Sequence, residues 1–128
     1  MKEAMIEILK PEFVFENDCG VLKQLVHEGW NQVNIITSVR DSVRGGHYHK
    51  SNKEAFYIIK GSFKLELKRG RESESYMMKE GDMFVINSLV THQFYYIEET
   101  TLISMYSVGV ELPDGTKDIW SGMSKCDL

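Results

Sequence analysis

His47, His49, Glu54 and His92 are three imidazoles and one carboxylate whose spacing suits a single bound metal ion. Strand side chains alternate faces, so His47 and His49, two apart, point the same way if residues 44–50 are extended. Lys50-Ser51-Asn52-Lys53 reads as a turn, and Glu54 opens the β-branched and aromatic run Ala55-Phe56-Tyr57-Ile58-Ile59. The carboxylate therefore begins one strand where the two histidines end another. Neutral imidazoles and a carboxylate suit Zn, Fe, Ni, Cu or Mn and leave coordination positions for water or substrate. Without a cation, a lone carboxylate buried among histidines would carry a desolvation cost of roughly several kcal/mol. The expectation is one divalent ion, Zn, Fe, Ni or Mn, on His47, His49, Glu54 and His92. The alternative is a metal-free site with His47 as a base. His27, alone between Val26 and Glu28, reads as a surface residue.

The elements that must hold these groups read as strands. Short apolar runs punctuated by Gly61-Ser62, Arg69-Gly70, Gly81-Asp82 and Glu98-Glu99 predict strands at 5–9, 21–26, 32–39, 46–50, 54–60, 63–68, 75–79, 83–86, 92–97 and 101–108. Helical periodicity is missing throughout. The pattern predicts one all-β domain over 1–128, an antiparallel sandwich or barrel of the jelly-roll kind. Residues 109–128, with Pro113, Asp114-Gly115 and Trp120, show no strand pattern and read as an arm, a flap or a loose end. Phe56, Ile58, Phe94 and Tyr96 have the parity to line the interior beside the ligands, as packing or as a substrate surface. Tyr57 and Ile59 point outwards, and that apolar face needs cover from a second sheet or a second subunit. The expectation is a homodimer, with the N-terminal strand pairing across subunits.

Composition narrows the function classes. The chain has 128 residues, 42% of them hydrophobic, enough for one core and against disorder. Its net charge of −4, with 15 scattered basic residues, gives no electrostatic footprint for nucleic acid. Apolar runs stop at five residues, as in Ala55-Phe56-Tyr57-Ile58-Ile59, too short to cross a bilayer, and residues 1–10 lack the core of a signal peptide. Cys19 and Cys126 stand far apart with no framework. A reducing, cytoplasmic setting is expected.

Taken together, these residues resemble the cupin superfamily, RmlC-like in kind. Gly45-Gly46, His47-Tyr48-His49, Glu54 and Gly61 are similar to the first cupin motif, and Gly81 and His92 fall in register with the second. The resemblance spans 39–108 and implies a double-stranded β-helix barrel with His47, His49, Glu54 and His92 as metal ligands. Three positions depart from the pattern. Asn87 stands where the family has proline, Leu89 where it has glycine, and Asp41 where the leading glycine falls. Asn tolerates a left-handed turn, so the bend is expected at Asn87-Ser88.

A narrower resemblance points to substrate. Val43-Arg44-Gly45-Gly46-His47-Tyr48-His49 is similar to a stretch in cupin enzymes that act on nucleotide-linked keto-sugars, the dTDP-4-dehydrorhamnose 3,5-epimerases and dTDP-sugar 3,4-ketoisomerases. Trp30-Asn31-Gln32-Val33-Asn34 with the following core also resembles the metal-bearing cupin half of a capsular-polysaccharide sugar reductase. The resemblance implies that His47 is the base, that Arg44 holds a diphosphate and that Tyr106 falls near the acid tyrosine. The epimerases do not keep the second His as a ligand, and the ketoisomerases lack the acidic one. Arg44 as a rim partner of Asp41 and Tyr106 as core are the plainer readings. The expected function is a metal-binding isomerase or epimerase of a sugar nucleotide, with Tyr106 or Tyr96 as proton donor and Phe56 and Phe94 beside the substrate. A metal-dependent oxygenase or decarboxylase of a small organic acid, and a non-catalytic ligand-binding cupin, are the alternatives.

Overall fold

The computed structural model describes residues 3–120, and Cys126 and the rest of 121–128 lie outside the described residues. Eleven strands follow in chain order: β1 (Ile6–Leu9), β2 (Phe13–Asn17), β3 (Gly20–Gln24), β4 (Gln32–Ser38), β5 (Val43–His47), β6 (Glu54–Lys60), β7 (Ser62–Arg69), β8 (Glu72–Lys79), β9 (Met83–Ile86), β10 (Thr91–Tyr96) and β11 (Thr100–Tyr106). The described residues form no helix.

Two antiparallel sheets face one another. One runs β1-β9-β6-β11-β4 and the other β5-β10-β7-β8. Alternation puts Phe56 and Ile58 of β6, Phe84 and Ile86 of β9, and Leu102 of β11 on the inner face of the first sheet. Phe63, Leu65 and Leu67 of β7, with Phe94 and Tyr96 of β10, meet them from the second. The aromatic rings interlock at centroid distances of 5.0 Å for Phe56–Phe84 and 5.1 Å for Phe63–Phe94. This core runs up to the polar site, whose cavity Phe56, Phe94, Tyr96 and Leu102 also line.

The outer face of the larger sheet is covered within the same chain. Ala55, Tyr57, Met83, Val85 and Met105 pack under Leu25, Val26 and Trp30, the segment that follows β3. Lys23 also donates to the Tyr57 hydroxyl at 2.9 Å. Tyr57 therefore needs no second subunit, which corrects one ground for expecting a dimer; Ile59 stays exposed. The N-terminal strand likewise pairs inside the chain, β1 against β9. The apolar surface left open lies elsewhere, at Phe13, Val14, Phe15, Val21 and Leu22 of the β2–β3 hairpin and at Val33 and Ile35 of β4.

Strand β2 escaped the sequence pattern. All five of its residues are exposed, so no polar–apolar alternation marks it. The strand expected at 46–50 instead runs Val43–His47, because Tyr48 leaves the sheet to pair with Trp120. The left-handed residue of the β9–β10 bend is Leu89, with φ 68°, rather than Asn87. Its N–H donates to the His49 carbonyl at 2.7 Å, and the bend closes over the histidine turn. Asn87 instead donates to the Ala4 carbonyl at 2.5 Å and anchors the N-terminal segment. Asp41, the other motif departure, has φ 67°. At both places the backbone keeps a glycine-like conformation without the glycine.

Candidate functional site

β5 and β10 bring two of the histidines face to face. His47 and His92 are direct Cα partners, but the register then slips by one residue, so that Gln93 pairs with Gly45 and Phe94 with Arg44. Gly46 is the extra residue of a β-bulge, and both Gly45 and Gly46 have positive φ, at 105° and 76°. A Cβ on Gly45 would lie 2.5 Å from the His92 carbonyl oxygen, so only glycine admits this close approach. His49 lies beyond the end of β5, yet its donor atom comes within 4.8 Å of those of His47 and His92. Glu54 opens β6 from the opposite sheet, paired in register with Tyr106 of β11.

The donor atoms of His47, His49 and His92 lie within 4.8 Å of one another, and all three residues are buried. Glu54 joins from the side of two of them, its Oε1 3.1 Å from His49 Nε2 and 3.5 Å from His92 Nε2. Backbone carbonyls fix the far side of the same two rings. His49 Nδ1 is 2.6 Å from the Asp118 oxygen and His92 Nδ1 is 3.1 Å from that of Val90. With Nδ1–H held, each ring presents Nε2 to the centre, the arrangement by which proteins orient metal-binding histidines. The donor set thus has the chemistry and the convergence to hold a divalent cation.

Electrostatics follows from burial among these partners. Burial pushes the Glu54 carboxyl up, but the His49 hydrogen bond, the neighbouring His92 and His49, and the Ser104 hydroxyl at 2.5 Å outweigh it and hold it below the usual range. Burial pulls His49 down, and Glu54 with the Asp118 carbonyl more than restores it, so it titrates above an ordinary imidazole. Burial dominates at His92, lowered to about 4. Tyr106 is driven well up by burial and by the Glu54 carboxylate to which it is hydrogen-bonded. Its ring stands edge-on to His49 at 5.1 Å.

An inner cavity of about 50 Å³ is lined by Arg44, His47, Glu54, Phe56, Phe94, Tyr96 and Tyr106, while His49 and His92 do not line it. An outer cleft of about 380 Å³ adjoins it along β4 and shares Arg44, Ile36 and Tyr106. Arg44 does not pair with Asp41; its Nε donates to Ser38 Oγ at 2.7 Å. Ser38 in turn hydrogen-bonds the Tyr96 hydroxyl, whose titration burial raises. His27 is exposed and contacts Glu12 at 2.5 Å, away from this centre.

Sequence reasoning missed Ser38, Ser104 and Asp118. Ser104 sits two before Tyr106, so strand parity alone would have put it on the site face. The tail beyond Gly109 is no loose end as far as Trp120. Glu111 pairs with Lys117, and Tyr48 with Trp120, as antiparallel backbone bridges.

A polysaccharide biosynthesis C-terminal domain model matches residues 16–110. The chain belongs to that family. Solved structures share its fold. The sugar 3,4-ketoisomerase QdtA from Thermoanaerobacterium thermosaccharolyticum, in complex with TDP, superposes with a TM-score of 0.74 at 22% identity over 93% of this chain and 89% of that one. A 3,4-ketoisomerase from Helicobacter canadensis gives 0.74 at 17% identity, covering 91% and 90%. The dTDP-4-dehydrorhamnose 3,5-epimerase from Sulfolobus tokodaii gives 0.68 at 20% identity, covering 81% and 70%. No curated protein matches in sequence. This polysaccharide biosynthesis C-terminal domain thus has the all-β, RmlC-like cupin fold that the resemblance of its two histidine motifs implied.

Proposed function

We propose that this cupin binds one divalent metal ion and isomerises or epimerises a nucleotide-linked keto-sugar, as a homodimer in a reducing, cytoplasmic setting. The observation that carries the reading is a cavity lined by Arg44, Glu54, two buried tyrosines and His47, the last of these clustered with His49 and His92, with an open cleft beside it. The solved structures that share the fold include 3,4-ketoisomerases and 3,5-epimerases of such sugars. His47, His49, Glu54 and His92 would hold the ion, which as Zn, Fe, Ni or Mn would draw charge from a substrate carbonyl and acidify the neighbouring C–H.

The chain's own residues supply the rest. An outer cleft of about 380 Å³ accepts the bulk of a nucleotide, while the smaller inner cavity receives the reacting end of the sugar. Arg44, held at Nε by Ser38, keeps its terminal nitrogens for a phosphate at the boundary between the two. Tyr96 and Tyr106 differ as proton donors. The Tyr106 hydroxyl is engaged by Glu54, which adds to its burial in raising it, whereas burial raises Tyr96 and the Ser38 hydrogen bond and the Arg44 charge offset part of that rise. Tyr96 therefore delivers the proton and Tyr106 steadies Glu54. Phe56 and Phe94 wall the cavity and exclude water.

One observation favours a second, metal-free reading. The Glu54 carboxylate is already satisfied by His49, Ser104 and Tyr106. In that form His47 takes the proton directly.

Elemental analysis of protein purified without chelator decides between the two: about one equivalent of metal supports the first, and less than ~0.1 rejects it. Calorimetry with dTDP-, UDP- and GDP-sugars tests the substrate. Arg44→Ala should weaken binding by about 1.5–3 kcal/mol without changing metal content. No binding by any of them, or binding indifferent to Arg44, rejects the sugar-nucleotide reading. Deuterium from solvent should appear on the carbon next to the keto group in the turned-over sugar.

A further inference from the structure

Asp118 is 1% exposed, although it lies in a segment without strand pattern. Its carboxylate accepts four N–H groups. Lys50 N at 2.8 Å and Trp120 Nε1 at 3.0 Å reach Oδ1. Ser51 N at 2.8 Å and Asn52 Nδ2 at 2.9 Å reach Oδ2. Its backbone is used as well: the N–H donates to the Val110 carbonyl at 2.8 Å, and the carbonyl accepts from His49 Nδ1 at 2.6 Å.

The neighbours reinforce the seam. Tyr48 and Trp120 exchange both backbone hydrogen bonds, and Lys50 Nζ stands 3.9 Å above the Trp120 ring. Asn52, also buried, donates to the Gly109 carbonyl and accepts from Val108 and Gly109 N–H. The segment from Val110 to Trp120 is thereby stitched onto the turn that joins the two ligand-bearing strands.

We propose that Asp118 is a positioning residue for the site: its carboxylate locks the 50–52 turn, and its carbonyl fixes the His49 ring so that Nε2 faces His47, His92 and Glu54. The inference rests on the metal-binding reading above. An imidazole can flip between two orientations, and only one presents Nε2 to the centre while Nδ1–H is satisfied. The carbonyl selects that orientation, and the four donors on the carboxylate hold the carbonyl in place. An amide cannot substitute, because its NH₂ would face two donors on one side. The segment from Val110 to Trp120 accordingly backs the site from behind His49, supplying a carbonyl partner that neither cupin motif contains.

The test compares Asp118→Ala with Asp114→Ala, a control in the same segment whose carboxylate bonds Thr116 away from the site. Zinc titrations of the full chain against a chromophoric chelator should show about tenfold weaker binding for Asp118→Ala, and a change within about twofold for Asp114→Ala. Long-range ¹H–¹⁵N spectra of the metal-free protein should show a His49 Nδ1–H protected from exchange in the wild type and lost in Asp118→Ala. This second readout needs no metal. A wild-type chain that binds no zinc therefore ends the metal reading while the ring spectra still judge Asp118. Zinc affinity within about twofold of wild type, or a protected Nδ1–H retained in Asp118→Ala, overturns the proposal. If Asp118→Ala does not fold, Trp120→Ala removes one of the four donors and should weaken zinc binding about threefold with partial loss of protection; unchanged values overturn it equally.

Discussion

Arg44 and His47 both face the site cavity, although they are three residues apart on one strand. In a regular strand an odd separation puts two side chains on opposite faces. The bulge at Gly45-Gly46 absorbs one residue and turns His47 inwards opposite His92. Gly45→Ala would drive a Cβ into the His92 carbonyl oxygen, and backbone cannot step aside as a side-chain end can. The variant should lose at least about 2 kcal/mol of stability by chemical denaturation, from steric strain at a positive φ. A stability within ~0.5 kcal/mol of wild type would show that the close approach is dispensable.

Leu89 bears a left-handed backbone conformation at 57% exposure, so it gains little burial in return. Left-handed geometry costs a side-chain-bearing residue roughly 1–2 kcal/mol, and glycine's extra unfolded freedom offsets part of the relief. Leu89→Gly should stabilise the protein by about 0.5–1 kcal/mol, read as a higher midpoint in urea. Destabilisation by a similar amount would contradict the strain account.

Burial lowers His92 to about 4 from the ordinary 6.5. Between those values the unfolded chain takes up a proton that the folded one refuses. Its contribution is present above about pH 6.5 and is lost as the pH falls towards 4, by up to about 3 kcal/mol. His49 works in the opposite sense, being raised, so its contribution is full below the ordinary imidazole range and fades as the pH climbs through its folded value. Urea denaturation of metal-free protein at pH 7 and pH 4.5, beside His92→Gln, separates the two. The variant should show a smaller loss in acid than wild type; equal losses would assign the effect elsewhere.

Exposed Phe13, Val14, Phe15, Val21 and Leu22 crowd one hairpin, and Ile35 on β4 is 73% exposed. Such surface suits a second copy of the chain. Light scattering at micromolar concentration should give twice the 14.8 kDa chain mass. A mass near the monomer would leave these residues to another role.

Much of the site was legible because its information is local. His47 and His49 are two residues apart and their donor atoms converge, Glu54 begins the strand that the turn at Lys50 delivers, and His92 opens the inner face of β10. Two features were not legible, for different reasons. The inward turn of Arg44 together with His47 depends on a one-residue slip against β10, and pairing register is written in no single strand. Asp118 meets Lys50, Ser51 and Asn52 across more than sixty intervening residues, with no pattern of its own to announce the meeting. Side-chain preference favours the bend at Asn87-Ser88, yet Leu89 adopts the left-handed conformation, its N–H bonded to His49 while Asn87 is tied to Ala4.

The span between His49 and Asp118 also sets an order of events during synthesis. The histidine pair is made early, but the carbonyl that steadies one ring arrives 69 residues later. Glu54 likewise waits 50 residues for the Ser104 hydroxyl. Closing such separations is entropically slow, and a chain ending before Asp118 would carry the histidine motif without the carbonyl that fixes Nδ1 of the His49 ring. On the metal-binding reading proposed above, the full strength of uptake would depend on a residue that follows both histidine motifs in the chain.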